Sequence, residues 1–217
     1  MQITAIITAG GSSSRFGNSN KLLEKIHSKE IIWYSVEAFL KVDGIDKIII
    51  CGNKSIIDDL NKIFNNDKIE IIEGGNTRQQ SVFNGLKACG DCDYVLIHDG
   101  ARPMISSETI KEAIQMVQEK KALTVATKTI DTIKQVDENL KIINTIDRSN
   151  LFNTQTPQVF EYNLIKDAHE KLEGQNFTDD AGMLEFLGKD VYILEGDYKN
   201  IKITTQSDIE LAKIYLK

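Results

Sequence analysis

The sequence predicts an α/β fold: a mostly parallel sheet with helices on both faces, interrupted by an inserted β-hairpin arm. Three observations carry this reading. Short β-branched runs such as Ile3-Thr4-Ala5-Ile6-Ile7-Thr8 have the length and composition of buried strands. They alternate with amphipathic stretches of helical period. A glycine-rich turn directly follows the first strand, at the edge where sheets of this kind bind ligands. Strands alternating with helices imply right-handed crossovers and a sheet covered on both sides, a Rossmann-like arrangement.

In order along the chain, strands are expected over 3–8, 47–51, 69–72, 94–98 and 122–127. Helices are expected between them over 31–41, 55–64, 78–88 and 106–120. The alternation breaks once. Residues 127–136 and 140–146 form two extended runs joined by the polar turn Asp137-Glu138-Asn139, which reads as a β-hairpin. Half of it is polar, and a two-stranded ribbon is marginal alone. A second subunit is the expected cover, with a hairpin lying on its own domain as the plainer alternative. The tail resumes with helices over 162–172 and 178–187, extended runs over 191–195 and 200–204, and a closing helix over 206–217. No repeat, low-complexity segment or linker divides the chain, so residues 1–217 form one domain with an arm at about 127–148.

Composition excludes several classes. No apolar run approaches the ~20 residues that span a bilayer, so no membrane partner is expected. Residues 1–9 lack a basic leader and run into a glycine turn, so they read as a core strand and the expected location is the cytoplasm. A net charge of −6 argues against nucleic acid as a partner, so an anionic ligand must be met by a local basic cluster. Cys89-Gly-Asp-Cys92 has redox spacing but follows a helix instead of opening one, and His27, His98 and His169 are scattered, so neither a reactive thiol nor a zinc site is expected.

Of 26 basic residues only four are arginine: Arg15, Arg78, Arg102 and Arg148. All four fall at turns or element ends, where ligand contacts concentrate. A guanidinium offers a planar fork matched to phosphate oxygens, which lysine does not reproduce. Incidental ion pairs would explain any one of them more easily than all four.

Three motifs carry chemistry. Ala9-Gly10-Gly11-Ser12-Ser13-Ser14-Arg15-Phe16-Gly17, followed by Lys21, comes directly after the first strand. Small residues there let backbone N–H groups approach phosphate oxygens, and Arg15 and Lys21 add positive charge. Gly-Lys-Ser/Thr is absent, so it is no Walker loop, and the dinucleotide fingerprint also fails. Gly74-Gly75-Asn76-Thr77-Arg78-Gln79-Gln80-Ser81-Val82 turns into a helix that presents Arg78 and Ser81. The plainer alternative makes Asn76 or Thr77 a helix cap. His98-Asp99-Gly100-Ala101-Arg102-Pro103 ends a buried strand, and Asp99 there is a natural Mg²⁺ ligand beside phosphates, or else a capping carboxylate.

In order and spacing these segments resemble the 2-C-methyl-D-erythritol 4-phosphate cytidylyltransferase family. The similarity continues through Asp131-Thr132-Ile133-Lys134, Asp147-Arg148, Gln155-Thr156-Pro157-Gln158, Thr178-Asp179-Asp180-Ala181, Glu195-Gly196 and Asn200-Ile201-Lys202-Ile203-Thr204. The glycine-rich opening is shared by many sugar nucleotidyltransferases. His-Asp-Gly-Ala-Arg-Pro with Asn-Ile-Lys-Ile-Thr points to the cytidylyltransferase branch, in which a sister group acts on ribitol 5-phosphate.

The resemblance implies that Arg15, Lys21 and Lys202 surround the triphosphate of CTP and that Asp99 helps to hold Mg²⁺. Ala9, Gly10, Gly11, Gly75 and Ser81, with Asn76 and Arg78 beside them, would serve the nucleotide. Arg102, Thr132, Arg148 and Thr156 would bind the polyol phosphate. Thr132 and Arg148 would lie on an arm that enters the neighbouring site of a homodimer. Two departures stand out: Asn76 where the family often has Asp, and a loop from Arg15 to Lys21 that is one residue short and has Asn20 in place of proline.

The chemistry suits these residues. The nucleophile is a phosphate oxygen already dianionic near neutral pH, since its second pKa is ~6. No general base is needed, and the sequence offers no obvious one. The obstacle is charge, so catalysis rests on alignment and on cations. A nucleotide-binding regulatory module without turnover would be expected to lack Lys21, Asp99 or Lys202, and all three are present. A uridylyl- or guanylyltransferase remains a rival that a nucleotide panel separates.

Overall fold

A computed structural model describes residues 1–11 and 20–216. In chain order the elements are β1 (Ile3–Ala9), β2 (Lys25–Ile26), β3 (Lys29–Glu30), α1 (Ile31–Leu40), β4 (Lys47–Gly52), α2 (Ile57–Ile63), β5 (Ile69–Glu73) and α3 (Arg78–Ala88). Then follow β6 (Tyr94–Asp99), α4 (Ser107–Lys120), β7 (Ala122–Lys128), β8 (Ile133–Val136), β9 (Ile142–Ile146), β10 (Phe152–Glu161), α5 (Tyr162–Lys171), α6 (Asp180–Phe186), β11 (Tyr192–Glu195) and α7 (Gln206–Tyr215).

Seven strands form one sheet in the order β11-β7-β10-β6-β1-β4-β5. Every pairing is parallel except the two made by β10. β1 lies inside the sheet and shows the period-2 rule directly. Ile3, Ala5 and Ile7 pack on one face with Val36 and Phe39 of α1. Ile6 faces the other way, onto Val82 and Leu86 of α3. Burial on both faces explains why the strand reads as a continuous apolar run. Among the described residues no helix is long and apolar enough to cross a membrane.

The expected architecture holds, with four differences. Strand β10 is not foreseen by the sequence reading. Its first half, Asn153-Thr154-Gln155-Thr156, is polar, and Pro157 argues against a central strand because it cannot donate to a ladder. The sheet accommodates Pro157 where the β10–β7 register shifts between Thr154 and Gln158. The arm is shorter than expected: β7 stays in the main sheet to Lys128, and only β8 and β9 form the separate ribbon, in which Ile133 faces Ile146. Residues 200–204 pair with no strand. The β2–β3 ladder, of two residues a side, is too short to show as a period.

Candidate active site

The three sequence motifs meet at the carboxyl edge of the parallel strands, around a cleft of about 360 Å³. Thr8, Gly10 and Gly11 come from the end of β1, Asp99 and Ala101 from the end of β6, and Gly75 to Arg78 with Ser81 from the start of α3. Lys21 and Lys202 close the cleft from segments that belong to no strand.

The entry to α3 is built by its own sequence. Thr77 is the N-cap, and its hydroxyl accepts the Gln80 N–H at 3.1 Å. The Gln80 side chain reaches back to accept the Asn76 N–H at 3.0 Å. Thr77 thus satisfies one donor that a helix start leaves open, and Gln80 ties down the residue before the cap. Asn76 is exposed on this turn. Ser81 is buried, and its Oγ accepts the Gly75 N–H at 3.0 Å while donating to Thr77 O at 2.9 Å. A Cβ on Gly75 would lie 2.2 Å from the Gln80 Cβ, so the turn requires glycine there. A Cβ on Gly10 would lie 3.1 Å from Ser81 Oγ. The two glycine turns therefore meet across one serine hydroxyl.

Lys21 opens a one-turn 3-10 helix capped by Asn20, whose side chain accepts the Leu22 N–H at 3.0 Å. That cap gives Asn20 a local reason to replace proline. Lys21 Nζ donates to Ile203 O at 2.8 Å. Arg15 lies outside the described residues, as does most of the loop that precedes Lys21.

Asp99 is the electrostatic centre. Lys202 Nζ stands 3.0 Å from its Oδ2, Arg102 Nε 3.4 Å from the same oxygen and Arg78 Nε 3.6 Å from Oδ1. Burial alone would raise the Asp99 pKa. Lys202, Arg78 and Arg102 outweigh that and hold the carboxyl well below the usual carboxylate range. The local basic cluster demanded by an acidic chain is thus present.

Behind Asp99 the polar groups are buried and paired. The Asp99 N–H donates to Thr156 Oγ1 at 3.0 Å, and Thr156 Oγ1 lies 3.0 Å from His98 Nδ1. His98 Nε2 faces Arg102 O at 3.1 Å. A carbonyl only accepts, so the network assigns the proton to Nε2 and leaves Nδ1 to accept from Thr156. Burial lowers the His98 pKa to about 4, consistent with this neutral ring. Arg78 also reaches back, with Nη1 2.8 Å from Asp180 Oδ2 as an ion pair without hydrogen-bond alignment. His169 Nε2 lies 3.1 Å from the other Asp180 oxygen. Burial works against the Asp180 charge, but Arg78 and His169 keep its pKa lowered.

Of the expected acceptor-binding residues, none lines the cleft. Arg102 uses its fork on Asn200 O at 2.8 Å, Thr154 O at 3.5 Å and Asp99. Thr156 is buried under Asp99. Thr132 and Arg148 are exposed on the arm, where Arg148 donates to Ile130 O. Thr8 and Asn53 line the cleft without having been singled out from sequence; their only signal is that each ends or follows a parallel strand. Asp180 and Asn200 lie in quoted motifs that give neither a role.

A divalent cation fits the donor set in one form only. Among the described residues, Asp99 is the one carboxylate that lines the cleft, and no group of three or more His, Cys, Asp or Glu could form a cage. Mg²⁺ suits this, since it keeps waters and takes one or two carboxylates plus substrate phosphates. The cysteines stand apart. Cys89 caps the end of α3 and Cys92 precedes β6, at the sheet edge opposite the cleft. Hydrogen bonding with Cys89 lowers the Cys92 pKa to about 7, while burial pushes Cys51 up to about 12.

A family model described as 2-C-methyl-D-erythritol 4-phosphate cytidylyltransferase matches residues 3–217. A protein of that name from Clostridium perfringens is 41% identical over 223 aligned positions, covering 100% of this chain and 99% of that one. Another, from Caldanaerobacter subterraneus subsp. tengcongensis, is 41% identical and covers 100% of both. Among solved structures, a 4-diphosphocytidyl-2C-methyl-D-erythritol synthase from Anaerococcus prevotii superposes with a TM-score of 0.89 at 35% identity, over 99% of this chain and 97% of that one.

Proposed function

The chain belongs to the 2-C-methyl-D-erythritol 4-phosphate cytidylyltransferase family, and on that premise we propose which of its residues do what. The reaction transfers CMP from CTP to 2-C-methyl-D-erythritol 4-phosphate and releases pyrophosphate, a step in isoprenoid precursor synthesis. An acceptor phosphate oxygen forms a bond to the α-phosphorus of CTP, and the bond from that phosphorus to the β-phosphate oxygen breaks. No proton needs removal from the nucleophile, in keeping with a cleft lined by cations instead of a histidine or a carboxylate pair.

The observation that carries the assignment of roles is the convergence of Lys202, Arg78 and Arg102 on Asp99, in a cleft floored by two glycine turns. Gly10, Gly11 and the N–H groups after Ala9 approach the phosphates. Gly75 and Ser81, with Asn76 at the rim and Arg78 behind, shape the nucleoside pocket. Lys21 and Lys202, with Arg15, neutralise the triphosphate and the charge that develops on it. Asp99 would hold Mg²⁺, which supplies charge neutralisation when bound. Binding nucleotide frees Asp99 from Lys202, which then turns to the phosphates.

Arg102, Thr132, Arg148 and Thr156 serve the acceptor. Arg102 and Thr156 fix the wall around Asp99. Thr132 and Arg148 reach the site of a second copy, because the arm exposes Leu140 at 81%, Ile143 at 62% and Ile142 at 57%, an apolar surface that a homodimer would cover. A cytoplasmic location belongs to the same proposal. The test is pyrophosphate release by the purified protein with Mg²⁺, across CTP, UTP and GTP and across methylerythritol and ribitol phosphates. CTP with methylerythritol phosphate should lead. A tenfold preference for ribitol phosphate would overturn the acceptor, and no CTP turnover would overturn the roles assigned here.

A further inference from the structure

Lys202 sits on a segment that no sheet supports. Residues 200–204 pair with no strand, yet they carry one catalytic cation and fasten another, since Lys21 Nζ donates to Ile203 O at 2.8 Å. Something other than a ladder must hold this segment against Asp99. Downstream, Ile203 N donates to Ala101 O at 2.8 Å, and Thr205 caps α7. Upstream, the hold comes from a side chain. Asn200 is 2% exposed, and its Nδ2 donates to Thr156 O at 2.9 Å and to Gln155 Oε1 at 3.1 Å.

These bonds close a ring. The Asp99 N–H donates to Thr156 Oγ1, Thr156 O accepts from Asn200 Nδ2, and Asn200 O accepts from Arg102 Nη1 at 2.8 Å. Arg102 Nε returns to Asp99 Oδ2. The ring ties the end of β6, the irregular stretch of β10 and the Lys202 segment into one unit. Asp99, Thr156 and Asn200 each use both side chain and backbone in it, and Asn200 is the member that belongs to the Lys202 segment. The buried Asn200 Oδ1 meets no hydrogen-bond partner among the described residues, so the side chain's polar contacts are made by its amide nitrogen. Its value lies in the two donors.

We propose that Asn200 is a positioning residue, which sets where Lys202 and, through Ile203 O, Lys21 stand relative to Asp99. It touches no substrate. It acts by keeping two cations in register with the carboxylate, in a reaction where alignment supplies much of the rate. The inference rests on the reading of Lys21 and Lys202 as phosphate-facing cations.

The test compares Asn200→Ala, Gln155→Leu and Lys202→Ala in CTP-dependent pyrophosphate release, with the melting temperature of each protein recorded. Asn200→Ala should lower kcat by about 10²-fold, the scale of a ~1 Å misplacement, with KM for CTP changed less than about threefold. A purely structural role predicts the reverse: a lower melting temperature with normal kcat per folded molecule. Gln155→Leu removes one acceptor of the same amide and should lower kcat by about tenfold. If Asn200→Ala does not fold, Gln155→Leu decides. Full turnover by the deciding variant while Lys202→Ala is inactive overturns the positioning role. Full turnover by Lys202→Ala overturns instead the reading of the site on which it stands.

Discussion

Lys202 Nζ lies 3.0 Å from Asp99 Oδ2, joining the end of a central strand to a segment that follows the last strand of the sheet. The pair is half open: Asp99 is 8% exposed and Lys202 42%. A lysine so exposed contributes little to stability through its ion pair.

Lys202→Ala and Lys21→Ala should therefore lower kcat by about 10²–10³ while leaving the fold intact, because each removes a cation from a charge-dense transition state. Steady-state turnover and thermal melting of the same preparations check this. Near wild-type turnover in either variant removes that lysine from its role.

Ser81→Ala should weaken CTP binding by about 1–2 kcal/mol and reduce the preference for CTP over UTP. The hydroxyl holds Gly75 N–H and packs against Gly10, so its loss loosens both turns together. Nucleotide titration is the measurement. An unchanged CTP to UTP ratio would confine Ser81 to supporting the start of α3.

Stability should fall between pH 6.5 and about 4. Burial depresses the His98 pKa from 6.5 to about 4, so in this window the unfolded chain binds a proton that the folded chain refuses. His98 thus contributes stability that is fully present above pH 6.5 and is lost as pH falls towards 4, at up to about 1.4 kcal/mol per pH unit. Urea melts across this range should show a shallower pH slope for His98→Gln. An equal slope would place the acid sensitivity elsewhere.

Mixed dimers test the shared site. Lys21→Ala and Arg148→Ala, each nearly inactive alone, should regain activity when unfolded and refolded together, because a heterodimer then carries one doubly damaged site and one intact site. Random pairing and independent sites put recovery at roughly a quarter of wild type. Absence of recovery with heterodimers demonstrated would make the arm a local feature of each chain.

The sequence by itself determined the parallel strands, most helices and the edge of the sheet at which its three motifs meet. The inner strands β1, β4, β6 and β7 are buried on both faces and so announce themselves as apolar, β-branched-rich runs, while Thr77 and the glycines before it state the start of α3 in local code. Because ligands gather where such strands end, Gly10, Asp99 and Arg78 could be grouped without coordinates. Tertiary structure alone decided β10, whose proline and polar residues contradict strand propensity and are tolerated because Asp99, His98 and Asn200 take up the hydrogen bonds of Thr156. It also decided that the Arg102 fork is committed to backbone carbonyls as well as to Asp99, and that Arg78 is held between Asp99 and Asp180. Apart from the Arg102–Asp99 pair, these are contacts between residues far apart in the chain. No periodicity or spacing encodes them, because they exist only once separate strands have brought their ends to one edge.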